Sequence, residues 1–453
     1  MNNNLQTLNN DNNQSKIKET IIQLLSNLAN PKEIDQYLTR FVNAGQSRFA
    51  VIKVGGAILE NDLDNLCSSL AFLESIGLFP IVVHGAGPQL NANLEKAGIT
   101  SEFISGQRVT TAKVLKIAKK TFIQQNQKLA NGLQAMGVKT SSITTGVFSA
   151  TLSPNKELGY VGEVNAIDLE PINTAIDSGA IPILSSLAET ETGQSLNINA
   201  DMATNQLAIA LKPYKIIFLT NTGGLLNQHD KIISSVNLVT DFDHLMSRDW
   251  LHSGMKLKIK QIADILDQLP ATASVSITKP SHLSKELFTH KGSGTLIRKG
   301  ESILSFNENN KFEFDKQRLT HLMETSFAKT LDSDYFSKTI IKEAYITRCY
   351  RAVAIISKEL SKENGLAYLD KFVVADDAKG EGLGKTLWKT VKANNPKLFW
   401  RCRPGNIINS FYFSNSEGCY KTKDWNIFWY GIDDFQLIQT CVDFASKKKP
   451  TLN

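Results

Sequence analysis

The stretch FAVIKVGG at residues 49–56 decides the class of fold that this chain adopts. Its apolar run reads as a buried β-strand, and the strand ends on Lys53 and two glycines. A second apolar run, at residues 79–83, ends in the same way on HGAG at residues 84–87. Glycines directly after strands let backbone N–H groups approach phosphate oxygens. The two stretches therefore predict an α/β protein that binds an anionic group at the ends of its strands.

Short apolar strands alternate with helical stretches from Arg48 onward. The first two strands bracket a helical segment at residues 63–76, and further buried strands are predicted at residues 181–184, 215–220 and 274–278. Strands that alternate with helices form parallel β-α-β units, and such sheets bind ligands at the C-terminal ends of their strands. We therefore predict an open, mostly parallel sheet between helices.

A third glycine-rich turn lies far along the chain and has different surroundings. The strand-like run FVV at residues 372–374 precedes KGEGLG at residues 379–384, and a helical stretch follows. With 453 residues, the chain is longer than one hydrophobic core usually supports. Glycine-lined anion sites in two separate regions therefore predict two enzymes fused in one polypeptide.

The composition is that of a globular protein and excludes several classes. Hydrophobic residues make up 42% of the chain, and the formal net charge of +6 gives no reason to expect a nucleic-acid partner. No run approaches the ~20 apolar residues that a membrane span requires, and no signal or transit pattern is present. The five cysteines form no C-x-x-C pair, and the seven histidines lack metal-ligand spacing. We expect a cytoplasmic protein with free thiols, no membrane or nucleic-acid partner and no metal site of its own.

The predicted domain boundaries follow changes in composition. We predict a disordered Asn-rich N-terminus (residues 1–14), a helical arm (15–47), a first catalytic domain (48–303), a polar linker (304–311), a second catalytic domain (312–446) and a solvated basic tail (447–453). The arm carries apolar residues at helical spacing. That pattern suits either an oligomerisation or regulatory element or a helix that packs on its own domain.

Three cationic side chains are candidates for the first site. Lys53 ends its strand at the C-terminal edge of the sheet, where its ammonium could meet a phosphoryl group. The alternative for Lys53 is a surface lysine after a strand. Lys258, near the start of a later helical stretch, is a second candidate for the phosphoryl group, and Arg108 could hold a carboxylate with two hydrogen bonds.

Polar residues recur at alternate positions in NINAD, residues 197–201. Alternate residues of an extended chain share a face, so Asn197, Asn199 and Asp201 would point to one side if the segment were extended. The order of all these segments is that of the amino-acid kinase family. Residues 48–300 closely resemble N-acetylglutamate kinases in several separate motifs.

That resemblance implies phosphoryl transfer from ATP, with Mg²⁺, to the γ-carboxylate of N-acetylglutamate. It assigns catalysis to Lys53, Asp201 and Lys258, nucleotide binding to Lys53, Gly55, Gly56, Asn221, Gly223, Gly224 and Lys258, and N-acetylglutamate binding to Gly85, Gly87, Arg108, Asn197 and Asn199. One residue departs from the family pattern, because Ala86 stands where a third glycine is usual. An alanine adds only a methyl group, so we expect close approach of the phosphate to be kept.

The turn KGEGLG resembles the pyrophosphate loop of GNAT-type N-acetyltransferases, and its alternative is a flexible turn that caps a helix. The neighbouring segments resemble the acetyltransferase domain of N-acetylglutamate synthases from vertebrates and from bacterial synthase/kinase fusions. The resemblance implies a mixed α/β domain that transfers an acetyl group from acetyl-CoA to glutamate. It assigns acetyl-CoA binding to Val373, Val374, Lys379, Gly380, Gly382, Leu383, Gly384 and Lys385, glutamate binding to Lys371, Arg401 and Asn406, and a position near the thioester sulfur to Tyr412.

Two side chains of this second site have further implications. Tyr412 is suited to protonate the departing thiolate or to donate a hydrogen bond to it. No histidine falls in the matched motifs, so a water relayed through backbone carbonyls is the expected acceptor of the glutamate ammonium proton. For Arg401 the alternative is a structural arginine packed on an aromatic ring.

The sequence ELFTHKGSGT at residues 286–295 resembles the segment that binds feedback arginine in arginine-sensitive acetylglutamate kinases. Glu286 would pair with a cationic group of arginine, and the backbone around Gly292 would approach the ligand closely. The alternative is a helix and turn that lead into the last strand of the fold. His282 is one residue nearer Glu286 than in the family pattern, so we assign it no role.

Together the resemblances imply a bifunctional enzyme of arginine biosynthesis that makes N-acetylglutamate from glutamate and then phosphorylates it. The expected partners are these small molecules, arginine as an effector, and further copies of the chain in a dimer or tetramer. One alternative is a synthase alone, with the kinase-like domain as an arginine sensor; another is a non-catalytic arginine-binding module. Lys53, Asp201 and Lys258 favour the kinase, because a sensor does not need all three.

Overall fold

The computed structural model describes Ile34, Leu38, Thr39, Phe41 and residues 49–453, except residues 252, 271, 290–291, 308–312 and 359–365. The predicted disordered N-terminus and most of the predicted arm lie outside the described residues. The described chain forms two compact units. One contains the residues up to Leu238 and Asp243–Lys299, and the other contains Val239–Phe242 and Gly300–Asn453.

The first unit contains strands β1–β14 and helices α1–α9, with four residues of α7 grouped in the second unit. The strands are Ala50–Val54, Ile81–His84, Phe103–Ile104, Gln107–Arg108, Thr140–Ile143, Phe148–Leu152, Gly162–Ile167, Ile181–Ser185, Leu187–Glu189, Ser195–Asn197, Lys215–Leu219, Ser235–Asn237, Ser274–Thr278 and Thr295–Arg298. The helices are Gly56–Asn61, Leu63–Ser75, Gly87–Lys96, Ala112–Gln134, Glu170–Asp177, Ala200–Leu211, Leu238–Met246, Ser253–Gln268 and Leu283–Phe288.

An eight-stranded sheet with the order β12-β14-β13-β11-β1-β2-β8-β5 forms the centre of the first unit. Strands β13, β11, β1, β2, β8 and β5 run parallel, whereas β14 is antiparallel to β13. The predicted open, mostly parallel sheet is confirmed. Because parallel strands end at the same edge, the loops after β1, β2 and β11 lie close to one another.

Both faces of β1 are buried, which explains its unbroken apolar sequence. Ala50, Ile52 and Val54 pack in one core with α2, α4 and α9, whereas Val51 packs in another core with α5 and α6. Side chains alternate along a strand, so Lys53 lies on the same face as Val51. The sheet therefore turns Lys53 toward the layer that contains α6.

Phe41, one of the described residues of the predicted arm, packs on the first unit. The centroid of its ring lies 4.8 Å from that of Phe49 and 5.6 Å from that of Phe288. Ile34 is buried as well. These contacts favour packing of this part of the arm on its own domain, while an oligomerisation role for the arm stays a prediction.

The second unit contains strands β15–β21 and helices α10–α14. The strands are Ile303–Asn307, Ile341–Thr347, Ala352–Lys358, Ala367–Val374, Leu398–Cys402, Gly418–Lys421 and Asn426–Tyr430, and they form one sheet with the order β15-β16-β17-β18-β19-β21-β20. The helices are Lys316–Phe327, Tyr335–Lys338, Leu383–Asn394, Asn409–Asn415 and Phe435–Lys447. The predicted mixed α/β organisation of this domain is confirmed.

Helices cover both faces of the second sheet. On one face, Trp388 of α12 packs with Trp400, with 5.1 Å between the ring centroids. On the other face, α10 and α11 pack against β16 and β17, and α14 packs against β19 and β21. Throughout the described parts of both units, no helix is long and apolar enough to cross a membrane.

Two predicted segments differ from the structure. The predicted linker, residues 304–311, overlaps β15, which pairs with β16 along its whole length. The predicted basic tail, residues 447–453, packs in part on the unit: Leu452 forms a β-bridge with Leu331, and Lys448 Nζ lies 3.6 Å from Asp370 Oδ1, whereas Lys447 and Lys449 are exposed. The described residues of both segments contact residues far away in sequence, which polar composition alone does not reveal.

Gly431, directly after β21, has no room for a side chain. Its φ of 68° lies in the left-handed region, and a Cβ atom there would overlap the carbonyl oxygen of Pro396. We expect Gly431→Ala to lower the free energy of unfolding of the second unit by about 1–3 kcal/mol, measured by differential scanning calorimetry. Gly405→Ala is the matched control, because a Cβ atom at Gly405 meets nothing within 4 Å. Equal stability of the two variants would contradict this packing.

Candidate active sites

Lys53, Asp201 and Lys258 come together from β1, the first turn of α6 and α8. Lys53 Nζ is 2.8 Å from Asp201 Oδ1, and Lys258 Nζ is 3.8 Å from Asp201 Oδ2. Lys258 Nζ also lies 4.9 Å from the ring centroid of Phe218, a residue that pairs with Lys53 in the sheet. The three charged groups therefore meet over one face of the sheet, near its C-terminal edge.

The charges of this cluster depend on one another. Burial would raise the pKa of the Asp201 carboxyl, but Lys53 and Lys258 outweigh burial and hold the pKa below its usual range. The pKa of Lys258 is lowered, because burial and the neighbouring Lys53 disfavour its charge more than Asp201 favours it. Asp201 is thus ionised, and two lysines share its single carboxylate. Among the described residues this arrangement gives a positive site, suited to the charge of a transferring phosphoryl group.

The glycine loops after β1 and β2 lie against each other at the same edge. The Gly85 N–H donates to Val54 O at 3.0 Å, and the Gln89 amide donates to Gly56 O at 2.7 Å. A Cβ atom at Gly56 would lie 2.8 Å from Cδ of the rigid Pro88 ring, so this position needs a glycine. Ala86, the departure from the family pattern, is buried in the core, which keeps its methyl group away from the loop surface.

Arg108, predicted to hold the carboxylate of N-acetylglutamate, is buried at the end of β4. Its guanidinium donates to Ser101 Oγ and to Asn91 Oδ1, and it lies 4.6 Å from the ring centroid of Phe103. Burial lowers the pKa of Arg108. Asn197 connects to this region because its amide donates to Thr110 Oγ1 at 3.1 Å.

The alternation in NINAD suggested an extended segment, but the segment is not extended throughout. Strand β10 ends at Asn197, and α6 begins at Ala200. Asn199 is the N-cap of α6, and its Oδ1 accepts from the N–H groups of Asp201 at 2.8 Å and Met202 at 3.3 Å. A capping side chain and the helix start thus place Asp201, rather than strand alternation.

The loop after β11 carries the residues predicted to bind the nucleotide, Asn221, Gly223 and Gly224. The Gly223 N–H donates to Thr220 Oγ1 at 3.1 Å, which holds the turn. The side chain of Lys279 lies across Gly223, where a Cβ atom would be only 2.6 Å from Lys279 Cγ. Lys279 directly follows β13 and brings a further lysine to this edge. The sequence signal for Lys279 was the one used for Lys53, a lysine at the end of a buried strand.

Strands β18 and β19 part in the middle of the second sheet. They pair in parallel over only three residue pairs, the last being Leu369 with Trp400, although both strands continue. A β-bulge in the pairing of β17 with β18 makes Asp370 the extra residue between Leu369 and Lys371. Beyond this point β18 has no strand partner on the β19 side among the described elements. The hydrogen bonding between these two strands therefore ends there, which leaves a gap between them.

The predicted pyrophosphate loop follows β18 and leads into α12. Gly380 and Gly382 have φ angles of 79° and 80°, which favours glycine at both positions. Gly382 is the N-cap of α12, and the first N–H groups of a helix have no partner within the helix. Gly384 packs against the end of β18, where a Cβ atom would lie 3.4 Å from Val374. The loop thus offers N–H groups and the helix dipole to an anion.

Charged side chains of this loop pair within the unit, and two assigned apolar residues are buried. Arg351 pairs with Glu381, and Lys379 pairs with Asp376. Leu383 packs in the core beneath α12, and Val373 is buried on the opposite face of the sheet. The side chain of Val373 therefore belongs to the core rather than to the face of the loop.

Tyr412, on α13, is buried in an aromatic cluster on the α12 face. Its ring centroid lies 5.5–6.5 Å from those of Trp400, Phe428, Trp388 and Phe372. Burial raises the pKa of Tyr412 well above its usual value. The phenol is therefore protonated throughout the neutral range and can donate a hydrogen bond.

Lys371 lies on the other face of the sheet from Tyr412. Lys371 Nζ is 2.6 Å from Asp370 Oδ2 and 2.7 Å from Thr451 Oγ1. It also lies 4.5 Å from the ring centroid of Tyr335, which belongs to the core on this face. Asp370 and Thr451 carried no motif signal and were not predicted as part of the site.

Arg401 shares the face of Lys371 but makes mainly structural contacts. Its Nη1 donates to the carbonyl oxygens of Ala445 and Lys448 at 2.5 Å each, near the end of α14. Its guanidinium stacks on Trp425, 3.9 Å from the ring centroid, as the structural alternative expected. Asn406 is exposed and accepts a hydrogen bond from a backbone N–H group two residues later. Contact of Arg401 and Asn406 with glutamate stays a prediction.

Glu286 is buried and holds the turn that contains Gly292. Its Oε2 accepts from the N–H groups of Ser293 at 2.8 Å and Gly294 at 3.0 Å. Gly292 has a φ of 62°. The carboxylate thus stabilises the local backbone, and an additional contact with arginine stays a prediction. In the described chain, no three His, Cys, Asp or Glu side chains are placed to hold a metal ion together.

Two family profiles match the sequence. The profile described as "Amino acid kinase family" matches residues 48–275, and the profile described as "NAT, N-acetyltransferase, of N-acetylglutamate synthase" matches residues 305–448. Each match falls largely within one of the two units, and together they agree with two fused catalytic domains.

Individual proteins resemble this chain along nearly its whole length. It is 51% identical to the acetylglutamate kinase of Xanthomonas campestris pv. campestris, over 94% of this chain and 100% of that protein. It is 34% identical to the mitochondrial N-acetylglutamate synthase of Homo sapiens, over 92% of this chain and 76% of that protein. A structure of N-acetylglutamate synthase from Neisseria gonorrhoeae, complexed with coenzyme A and N-acetyl-glutamate, shares the fold with a TM-score of 0.59 and 16% identity, covering 93% of this chain and 96% of that chain.

Proposed function

Since this chain belongs to the acetylglutamate kinases of the amino acid kinase family and carries an N-acetyltransferase domain of the N-acetylglutamate synthase type, we propose that it catalyses two consecutive reactions. The second domain acetylates glutamate with acetyl-CoA, and the first domain phosphorylates the N-acetylglutamate with ATP, as the first two steps of arginine biosynthesis. The cluster of Lys53, Asp201 and Lys258 carries the proposal, because it is what distinguishes a kinase from a sensor.

In the kinase reaction, a γ-carboxylate oxygen of N-acetylglutamate attacks the γ-phosphorus of ATP, and ADP departs. The carboxylate is already ionised at neutral pH, so the step needs no general base. The obstacle is the approach of two anions, which Lys53 and Lys258 offset. Asp201 holds both lysines in place. Mg²⁺ that enters with ATP supplies further neutralisation of the phosphates.

The substrates of the kinase are assigned to the loops at the same edge of the sheet. N-acetylglutamate is bound by Arg108, Asn197, Asn199 and the backbone at Gly85 and Gly87. The nucleotide is bound by the loops that contain Gly55, Gly56, Asn221, Gly223 and Gly224. The position of the glycine loops supports this assignment, because one loop directly follows the strand that carries Lys53 and the two loops pack against each other.

The main alternative is a synthase whose kinase-like unit senses arginine only. Partly burying two lysines beside one carboxylate costs free energy of folding. Such clusters are therefore typical of functional sites. A sensor would gain nothing from a positive site in this position. The alternative therefore accounts less well for the cluster, and the kinase assay below tests it directly.

In the acetyltransferase reaction, the glutamate amine attacks the thioester carbonyl as the free base, the C–S bond breaks and the coenzyme A thiolate departs. A water molecule takes the proton from the glutamate ammonium. The phenol of Tyr412 donates a proton or a hydrogen bond to the thiolate. In this proposal acetyl-CoA approaches the gap between β18 and β19 from the Tyr412 face, Lys371 and Arg401 bind the glutamate carboxylates from the other face, and Asn406 contributes a further contact with glutamate.

Regulation by arginine forms a further part of the proposal. Glu286 uses Oε2 to hold the turn at residues 292–294, and in the described surroundings Oε1 accepts no hydrogen bond. Oε1 would pair with a cationic group of arginine, close to Gly292.

We also propose that the protein is cytoplasmic and forms a dimer or tetramer.

Lys258→Met should slow phosphorylation of N-acetylglutamate by at least about a hundredfold, because the variant loses one positive charge beside the phosphoryl group. Acetyl transfer should be unaffected. Both rates are measured on the same purified protein, with Lys260→Met as the control for an exposed lysine of the same helix. Loss of both activities in a folded variant would contradict separate sites, and absence of phosphorylation in the unchanged protein would favour the sensor.

Tyr412→Phe should lower kcat of acetyl transfer roughly ten- to a thousandfold, since one proton donor is removed. The KM for acetyl-CoA should change little, because the ring stays in its aromatic cluster. Steady-state kinetics with a thiol reagent measures both constants. Tyr420→Phe is the control, at a tyrosine whose side chain is exposed. An unchanged kcat would remove Tyr412 from the mechanism.

Glu286→Gln should weaken arginine binding at least roughly tenfold, because the neutral amide keeps the shape but loses the charge that pairs with the ligand. Isothermal titration calorimetry measures the affinity. Glu95→Gln, at an exposed position of α3, is the control. No binding of arginine to the unchanged protein would refute the regulatory site.

A further inference from the structure

Asp370 is a buried carboxylate that neither reaction uses directly. The β-bulge in β18 turns Asp370 and Lys371 to the same face of the sheet, against the usual alternation of a strand. The side chain of Asp370 is 3% exposed, and its Oδ2 accepts from the Tyr335 hydroxyl at 2.6 Å. Burial would raise the pKa of Asp370, but Lys371 and Lys448 hold it below its usual range. The carboxylate is therefore ionised and fixed in place.

Two oxygen atoms fix the ammonium group of Lys371. Nζ is 2.6 Å from Asp370 Oδ2 and 2.7 Å from Thr451 Oγ1. An ammonium has three N–H donors. Within the part of the chain that the structure describes, only these two acceptors are in hydrogen-bond range of it. One donor is thus available for a carboxylate of the substrate.

Thr451 is itself held by the backbone that surrounds it. Its carbonyl oxygen accepts from the Asp332 N–H at 3.1 Å, and the following residues, Leu452 and Asn453, pair with residues 330–331. These bonds join the segment after α14 to the loop before α11. The Thr451 hydroxyl is therefore a fixed group and not part of a mobile tail.

The same end of the unit also holds Arg401, the second cation assigned to glutamate. Ala445 and Lys448 supply the two carbonyl oxygens that accept from Arg401 Nη1. Lys371 and Arg401 lie on the two strands that flank the gap, β18 and β19. Residues 445–451 thus contact both cations from outside the sheet.

We propose that Asp370 and Thr451 are positioning residues for the Lys371 ammonium, and that the segment after α14 thereby sets the affinity of the acetyltransferase site for glutamate. The proposal rests on the proposed function, in which Lys371 binds a glutamate carboxylate. A lysine loses rotamer freedom when it is fixed by a ligand. Fixing the side chain before glutamate arrives removes that loss from the binding step.

Two substitutions of Thr451 separate its hydrogen bond from its packing. On the full-length protein, Thr451→Val should raise the KM for glutamate about three- to thirtyfold, with smaller changes in kcat and in the KM for acetyl-CoA. Thr451→Ser keeps the hydroxyl and should restore the KM. Thr440→Val, at an exposed threonine of α14, is the matched control. Phosphorylation of N-acetylglutamate by the same samples reports on the integrity of the chain.

A double-mutant cycle with Lys371→Met tests whether Asp370 acts through Lys371. Asp370→Asn should raise the KM for glutamate when Lys371 is present. The same substitution should have no further effect on that KM in the Lys371→Met background. Additive effects would overturn the positioning role. An unchanged KM for glutamate in Lys371→Met would instead refute the proposed role of Lys371, so this outcome is distinguishable from failure of the positioning role. Loss of thermal stabilisation by coenzyme A would indicate that Asp370→Asn does not fold. In that case the Thr451 variants test the proposal, and a normal KM for glutamate in Thr451→Val overturns it.

Discussion

The carboxylate of Asp201, between Lys53 and Lys258, is the interaction on which the first site depends. Two ammonium groups this close would repel one another and lose hydration together, and one shared carboxylate offsets part of that cost. The sheet makes the contact possible, because β1 turns Lys53 toward the layer that contains α6. A reaction between two anions thus relies on a single anion in the protein that organises its cations.

The second unit uses a carboxylate in the same way, although it reaches the arrangement by other means. A β-bulge turns Asp370 and Lys371 to one face, and a segment far away in sequence adds Thr451. A partly buried cation that must bind a substrate anion needs a partner close enough to hold it. The partner must also leave at least one N–H donor of the cation available to the substrate. Both clusters of lysines meet these two requirements.

Several residues assigned to ligands also hold the backbone around them. Asn199 caps α6, Arg401 donates to carbonyl groups near the end of α14, and Glu286 holds the turn after α9. Side chains fixed by such bonds keep one orientation, which favours ligand binding because less freedom is lost. The same bonds use part of each group's hydrogen-bonding capacity, so the remaining atoms determine what a ligand can meet.

The sequence by itself determined the buried strands β1, β2, β8, β11 and β13 and the glycine loops after β1 and β2, while the grouping of Lys53, Asp201 and Lys258 was implied by the family resemblance. The sequence could do so because apolar runs and glycines act locally, and because a parallel sheet brings strand ends together. Only the tertiary structure decided that residues 303–307 form a strand, that residues 448–453 pack on the unit, and that Asp370 and Thr451 hold Lys371. These features depend on the register of β18 and on partners distant in sequence, and the pattern of neighbouring residues does not encode either of them.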